Sequence, residues 1–151
     1  SCHFEYTFSP SAAGVYTATS SISNSRGTYN IEVRGTGVAP SLSASPLVLD
    51  FGLVPIGETS PVQEVVIRNT GLSTLADWAG GGFPSGSPFH ASQNCAAGVP
   101  PGGACKYSFT FAPSAAGRYT AVSSTSTNAG NMEIVLYGGQ AQYAWLPVVR
   151  R

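Results

Sequence analysis

Two stretches decide the reading: CHFEYTFSPSAAGVYTATSSIS, from Cys2 to Ser23, and CKYSFTFAPSAAGRYTAVSSTS, from Cys105 to Ser126. They align without a gap at an offset of 103 residues. The correspondence continues through Gly27 on Gly130 and Ile31 on Ile134 to Gly35 on Gly138. A period near 100 residues is too long for a solenoid unit and suits a small β-sandwich domain. Within the second copy Tyr107, Phe109 and Phe111 alternate with Lys106, Ser108 and Thr110. The first copy does the same with Phe4, Tyr6 and Phe8 against Glu5 and Thr7. Period two is the signature of a strand with one apolar face, because successive side chains of an extended chain point to opposite sides.

Working outward, the same alternation predicts strands at Leu47 to Phe51, Val62 to Asn69, Ser73 to Trp78, Arg118 to Ser126 and Asn131 to Tyr137. A short strand is expected near Pro88 to Ala91. Gly and Pro punctuate the intervals: Pro55 with Gly57, Asn69-Thr70-Gly71, Gly80-Gly81-Gly82, Pro100-Pro101-Gly102-Gly103 and Ala116-Gly117. No stretch has helical spacing. The expected class is all-β: an immunoglobulin-like, seven-stranded antiparallel sandwich with part of a preceding repeat. Residues 1–39 read as the C-terminal part of that preceding repeat, 40–140 as a complete domain, and 141–151 as a tail or the start of a following segment. Tyr16 and Tyr119, each after Ala-Gly, read as corner tyrosines whose hydroxyls bond a turn backbone.

Composition excludes several functions. Of the 151 residues only 9% are charged, with no net charge, while 42% are hydrophobic. A nucleic-acid binder needs clustered Lys and Arg; this chain has one lysine, Lys106, and scattered arginines. No apolar run approaches the ~18–20 residues of a membrane-spanning helix. Starting at Ser1 without an initiator methionine, the chain reads as a mature product or an excised fragment. Three cysteines, Cys2, Cys95 and Cys105, leave either one bridge and one orphan or a partner outside the chain. If Cys95 pairs with Cys105, the equivalent partner of Cys2 falls ahead of residue 1. A bridge there would staple the Gly/Pro-rich loop AAGVPPGGA and imply an oxidising compartment.

The motifs LDFGLVPIGET within Leu42 to Thr59, VVIRNTG at Val65 to Gly71, C-x9-C, and FTFAPSAAGRYT from Phe109 resemble the immunoglobulin-like modules of the abnormal-spindle, SPD-2 and hydin (ASH) group. That group is related to major sperm protein and PapD-like sandwiches. The bacterial form called choice-of-anchor D, found in tandem on exported proteins, is the more similar because it shares the paired cysteines. The resemblance covers nearly the whole chain. It implies a Cys95–Cys105 bridge and a structural or adhesive role, as spacer and protein-binding surface, outside the cytoplasm: extracellular, at the cell surface or periplasmic. Function does not follow from such a fold by itself.

No catalytic set emerges. A P-loop needs Gly-Lys-Ser or Gly-Lys-Thr, which is missing, and Gly82-Phe83-Pro84-Ser85-Gly86 misplaces the serine of a nucleophile elbow. A His90–Asp77 acid–base pair is a weaker reading than a solvated loop histidine. The acidic residues are dispersed, so no metal and no cofactor is expected. The candidate interaction residues are Trp78 and Phe83, beside a triple glycine, and Tyr143 and Trp145 in the apolar tail. Trp78 and Phe83 either display aromatic surface or plug the end of the sandwich. Expected partners are proteins or other copies of the chain, with a glycan stacked on Trp78 and Phe83 as an alternative. A further alternative is a filament or secretion-assembly subunit whose missing strands are donated by a neighbour or by Tyr143 to Val149.

Overall fold

The structure, a computed structural model, describes residues 3–139. It is all-β, with no helix among the described residues. The first element is a long hairpin, β1 (Gly14–Asn24) and β2 (Gly27–Gly37), antiparallel from Gly14 opposite Gly37 to Asn24 opposite Gly27. Its two-residue turn is held by the Asn24 side chain, whose Oδ1 accepts the Arg26 N–H at 2.7 Å. Asn is suited to such turns because its short amide can stand in for a backbone acceptor.

A sandwich of two four-stranded sheets follows. One sheet has the order β3 (Leu42–Ser45), β5 (Gln63–Asn69), β8 (Ala104–Phe111), β7 (Phe89–Gln93). The other has the order β4 (Val48–Leu53), β10 (Gly130–Gly139), β9 (Arg118–Thr127), β6 (Ala79–Gly80). The alternation seen in sequence closes the core between them. Cys105, Tyr107, Phe109 and Phe111 point inward from β8 while Lys106 stays outside, and Met132, Ile134 and Leu136 point inward from β10. Fully burying each large apolar side chain contributes about 1.5–3 kcal/mol, so this shared interior carries the stability of the fold. Tyr119 donates its hydroxyl to the Ala115 carbonyl at 2.8 Å, and Tyr16 to the Ala12 carbonyl at 3.2 Å, the corner role expected of both.

Three details differ from the expected strand list. The sandwich has eight strands because β3 is separate from β4, and β4 runs parallel to β10, with Val48 opposite Val135 and Leu49 opposite Leu136. Ser73 to Trp78 is not a continuous strand. Asp77 takes a left-handed φ of 59°, which breaks the extended path, so only Leu75 bridges to Val99 and pairing resumes as β6 against β9. Phe4 to Phe8 forms no strand either, although its counterpart is β8. That strand is paired on both sides, by β5 and β7, whereas no strand pairs with residues 4–8 among the described residues.

The hairpin is nevertheless a copy of β9–β10. With the 103-residue offset, Tyr16 opposite Gly35 reproduces Tyr119 opposite Gly138, and Asn24 opposite Gly27 reproduces Thr127 opposite Gly130. The joint between hairpin and sandwich is tied to the end of β5. The Leu72 N–H donates to Ala39 O at 3.0 Å and the Thr70 N–H to Ser41 O at 2.9 Å.

Candidate functional site

The loop that carries Trp78 and Phe83 runs over one end of the core. Gly80 and Gly81 take left-handed φ values of 88° and 84°, which side chains disfavour. At Gly81 a Cβ would meet the Tyr107 ring at 2.7 Å, so the chain passes directly over the core there. The passage is fastened by the Gly81 N–H donating to Ser124 O at 2.7 Å and by the Ser123 hydroxyl donating to Gly81 O at 2.8 Å. Trp78 and Phe83 are half-buried and packed on the core. The Trp78 ring lies 6.3 Å from Tyr107, and Phe83 lies 5.9 Å from Phe89 and 6.2 Å from Phe109. The Trp78 indole N–H is buried and meets no acceptor among the described residues. This geometry is that of a plug, with a shallow hollow of about 370 Å³ beside Phe83, Pro84 and His90.

Cys95 and Cys105 form a disulfide across the loop that joins β7 to β8. Asn69, at the end of β5, is buried beneath that loop. Its Nδ2 donates to Ser73 O at 2.7 Å and to Val99 O at 2.8 Å, and its Oδ1 accepts the Gly71 N–H at 3.0 Å. One amide therefore ties the disulfide loop, the turn after β5 and, through the Ser41 N–H at 3.4 Å, the joint. His90 is exposed on β7 opposite Thr110, and no hydrogen bond links it to Asp77. Among the described residues, no three His, Cys, Asp or Glu side chains gather in a metal-binding group. Among the described residues no helix is long and apolar enough to cross a membrane. Cys2, Tyr143 and Trp145 lie outside the described residues.

A different surface stands out from the residues upward. Phe4, Tyr6, Phe8, Tyr16, Tyr29 and Ile31 are all exposed large hydrophobics on or beside the β1–β2 hairpin. A groove of about 410 Å³ runs between residues 6–8 and the hairpin, floored by Tyr16, Ala18, Val33 and Gly35. The repeat in the sequence marks this face as uncovered. It does not reveal the groove, which exists only because residues 6–8 fold back over β1 and β2.

No protein-family model matches the chain, and no curated protein matches it. Among solved structures the chain is similar to a protein of unknown function from Porphyromonas gingivalis W83. The TM-score is 0.56 and the identity 15%, covering 85% of this chain and 67% of that one. It is also similar to the ASH/PapD-like domain of human CEP192 (PapD-like domain 7). There the TM-score is 0.55 and the identity 17%, covering 69% of this chain and 87% of that one. At such identities the likeness shows the fold alone: an immunoglobulin-like β-sandwich of the ASH/PapD-like kind.

Proposed function

We propose that the chain is a non-enzymatic structural and adhesive module, built of tandem immunoglobulin-like repeats of the choice-of-anchor D type, in a bacterial exported or cell-surface protein. It acts there as a spacer and a protein-binding surface. In this reading residues 1–39 are the last third of one repeat, 40–140 are a complete repeat, and 141–151 lead onward. The observation that carries it is the duplicated hairpin, identical in register at an offset of one whole module. The Cys95–Cys105 bridge supports an oxidising location, since such bonds persist outside reducing cytosol. A charge-poor surface rich in Ser, Thr and Gly suits a spacer rather than an electrostatically steered binder.

The test is the solution mass by light scattering together with the thiol content by non-reducing mass spectrometry. A monomer with one free thiol, at Cys2, and the Cys95–Cys105 bridge intact is the expected result. A stable oligomer that falls apart on deletion of Tyr143 to Arg151 would replace this reading with an assembly subunit using strand donation, a reading favoured by the uncovered face of β1–β2. Glycan binding that disappears in Trp78→Ala would replace it with a carbohydrate-binding module.

A further inference from the structure

The groove beside the hairpin has an occupied counterpart in the same chain. Phe8, Gly35 and Tyr16 reproduce the packing of Phe111, Gly138 and Tyr119. The Phe8 and Tyr16 rings are 5.7 Å apart and the Phe111 and Tyr119 rings 5.5 Å. A Cβ added at Gly35 or Gly138 would meet the phenylalanine ring at 2.8 Å or 2.7 Å. Equal geometry comes with unequal cover: Phe8 is 49% exposed where Phe111 is 0%, and Tyr6 is 44% exposed where Phe109 is 0%. In the complete module, part of what closes this space is β4. It lies parallel to β10, with Leu49 and Phe51 buried and the Phe51 ring 6.1 Å from Phe111.

We propose that the groove accepts an extended strand of the β4 type, parallel to β2 along Glu32 to Thr36 and carried by the earlier part of the same repeat in the parent polypeptide. This rests on reading residues 1–39 as the end of a repeat, and adds the occupant, its direction and its register. The backbone groups for the ladder are in place. On β10 the Val135 N–H donates to Leu47 O at 2.9 Å, and Gly139 O accepts the Val54 N–H at 3.1 Å. At the same offset the donor on β2 is the Glu32 N–H and the acceptor is Thr36 O, both on an edge that pairs with nothing among the described residues. An unpaired edge beside an apolar groove is a template for strand addition: main-chain bonds supply affinity and alternate side chains supply specificity. The side chains required are those of β4, a Leu and a Phe two residues apart, followed by a glycine. Arg34 is the one charged residue lining the groove, and its exposed guanidinium is paired with Glu32 at 2.7 Å.

The experiment titrates a fluorescein-labelled peptide of residues 46–56, PLVLDFGLVPI, with the full chain, read by fluorescence anisotropy. Amide chemical shifts map where it binds. Saturable one-to-one binding is expected, with shifts at Phe8, Tyr16, Val33 and Gly35. Affinity should fall at least about tenfold in Glu32→Pro, which removes one edge N–H but none facing β1, and in Val33→Arg. The loss should recur when the peptide's own Phe is replaced by Ser. Absent or unsaturable binding, equal binding of a scrambled peptide, or shifts confined to β10 and its neighbours would overturn the proposal. So would a chain dimer that Val33→Arg dissociates and the peptide leaves intact, which would assign the face to a second copy. A monomeric, bridged chain that ignores the peptide sinks this proposal alone, whereas an oligomer dependent on residues 143–151 sinks the tandem-repeat reading.

Discussion

Gly138 and Gly35 show how one local arrangement acquires different energetic weight from its surroundings. At Gly138 a methyl group would press on a fully buried phenylalanine hemmed in by Phe51, Phe89 and Tyr119. Overpacking of this kind costs about 1–3 kcal/mol, so Gly138→Ala should lower the urea midpoint of the sandwich accordingly. Gly35→Ala meets a ring that is half exposed and can swing aside; the main unfolding transition should stay in place. Equal losses for the two would show that Phe8 is as confined as Phe111. Asn69 is the other side chain with a large expected effect. Truncation to Ala leaves the half-buried Ser73 carbonyl and the Gly71 N–H without their partner, at about 1–3 kcal/mol for each group left unsatisfied, while the Val99 carbonyl keeps the Leu75 N–H. Asn69→Ala should therefore be more damaging than Gly138→Ala, as read by the same denaturant titration.

Among the elements, the disulfide loop is the clearest case for measurement. Its cysteines are ten residues apart in sequence, and closing so short a loop stabilises by roughly 2.5–3 kcal/mol in the chain-entropy account. Reduction should lower stability by about 2–3 kcal/mol, seen as a shifted midpoint with and without reductant. The lower end is expected because Asn69 and the Leu75–Val99 bridge still hold the loop. The strands themselves were legible to different degrees. β5, β8, β9 and β10 announce themselves by alternation, since each has one face in the core and one outside. The interruption at Asp77 is a backbone choice that alternation does not encode. The loss of the Phe4–Phe8 strand follows from partners, not from its own residues, which repeat the aromatic alternation of β8.

The molecule as a whole divides into a closed sandwich and a half-covered hairpin joined at Ala39–Ser41. Local opening is easiest where few apolar contacts are buried. Limited proteolysis should therefore cut first within residues 3–37 and leave a resistant fragment beginning near Val38 to Pro40. Resistance extending through β1 and β2 would show that their apolar face is covered in solution, and addition of the β4 peptide should move the digestion pattern in that direction.

The all-β class and the corner tyrosines could be read from residues alone, because each is a local pattern or a repeat of one, and the Cys95–Cys105 bridge that the structure shows is the one the family resemblance implies. Which aromatics are core and which are surface could not. Phe8 and Phe111 sit in matching sequence, and only the presence of β4, β5 and β7 around one of them decides the difference. Likewise Trp78 and Phe83 become a plug, not a display, because the glycine passage over Tyr107 turns their loop onto the core. The parallel docking of β4 joins residues more than 80 apart. Such pairing depends on how two sheets close around a shared interior, so it emerges only with the tertiary fold.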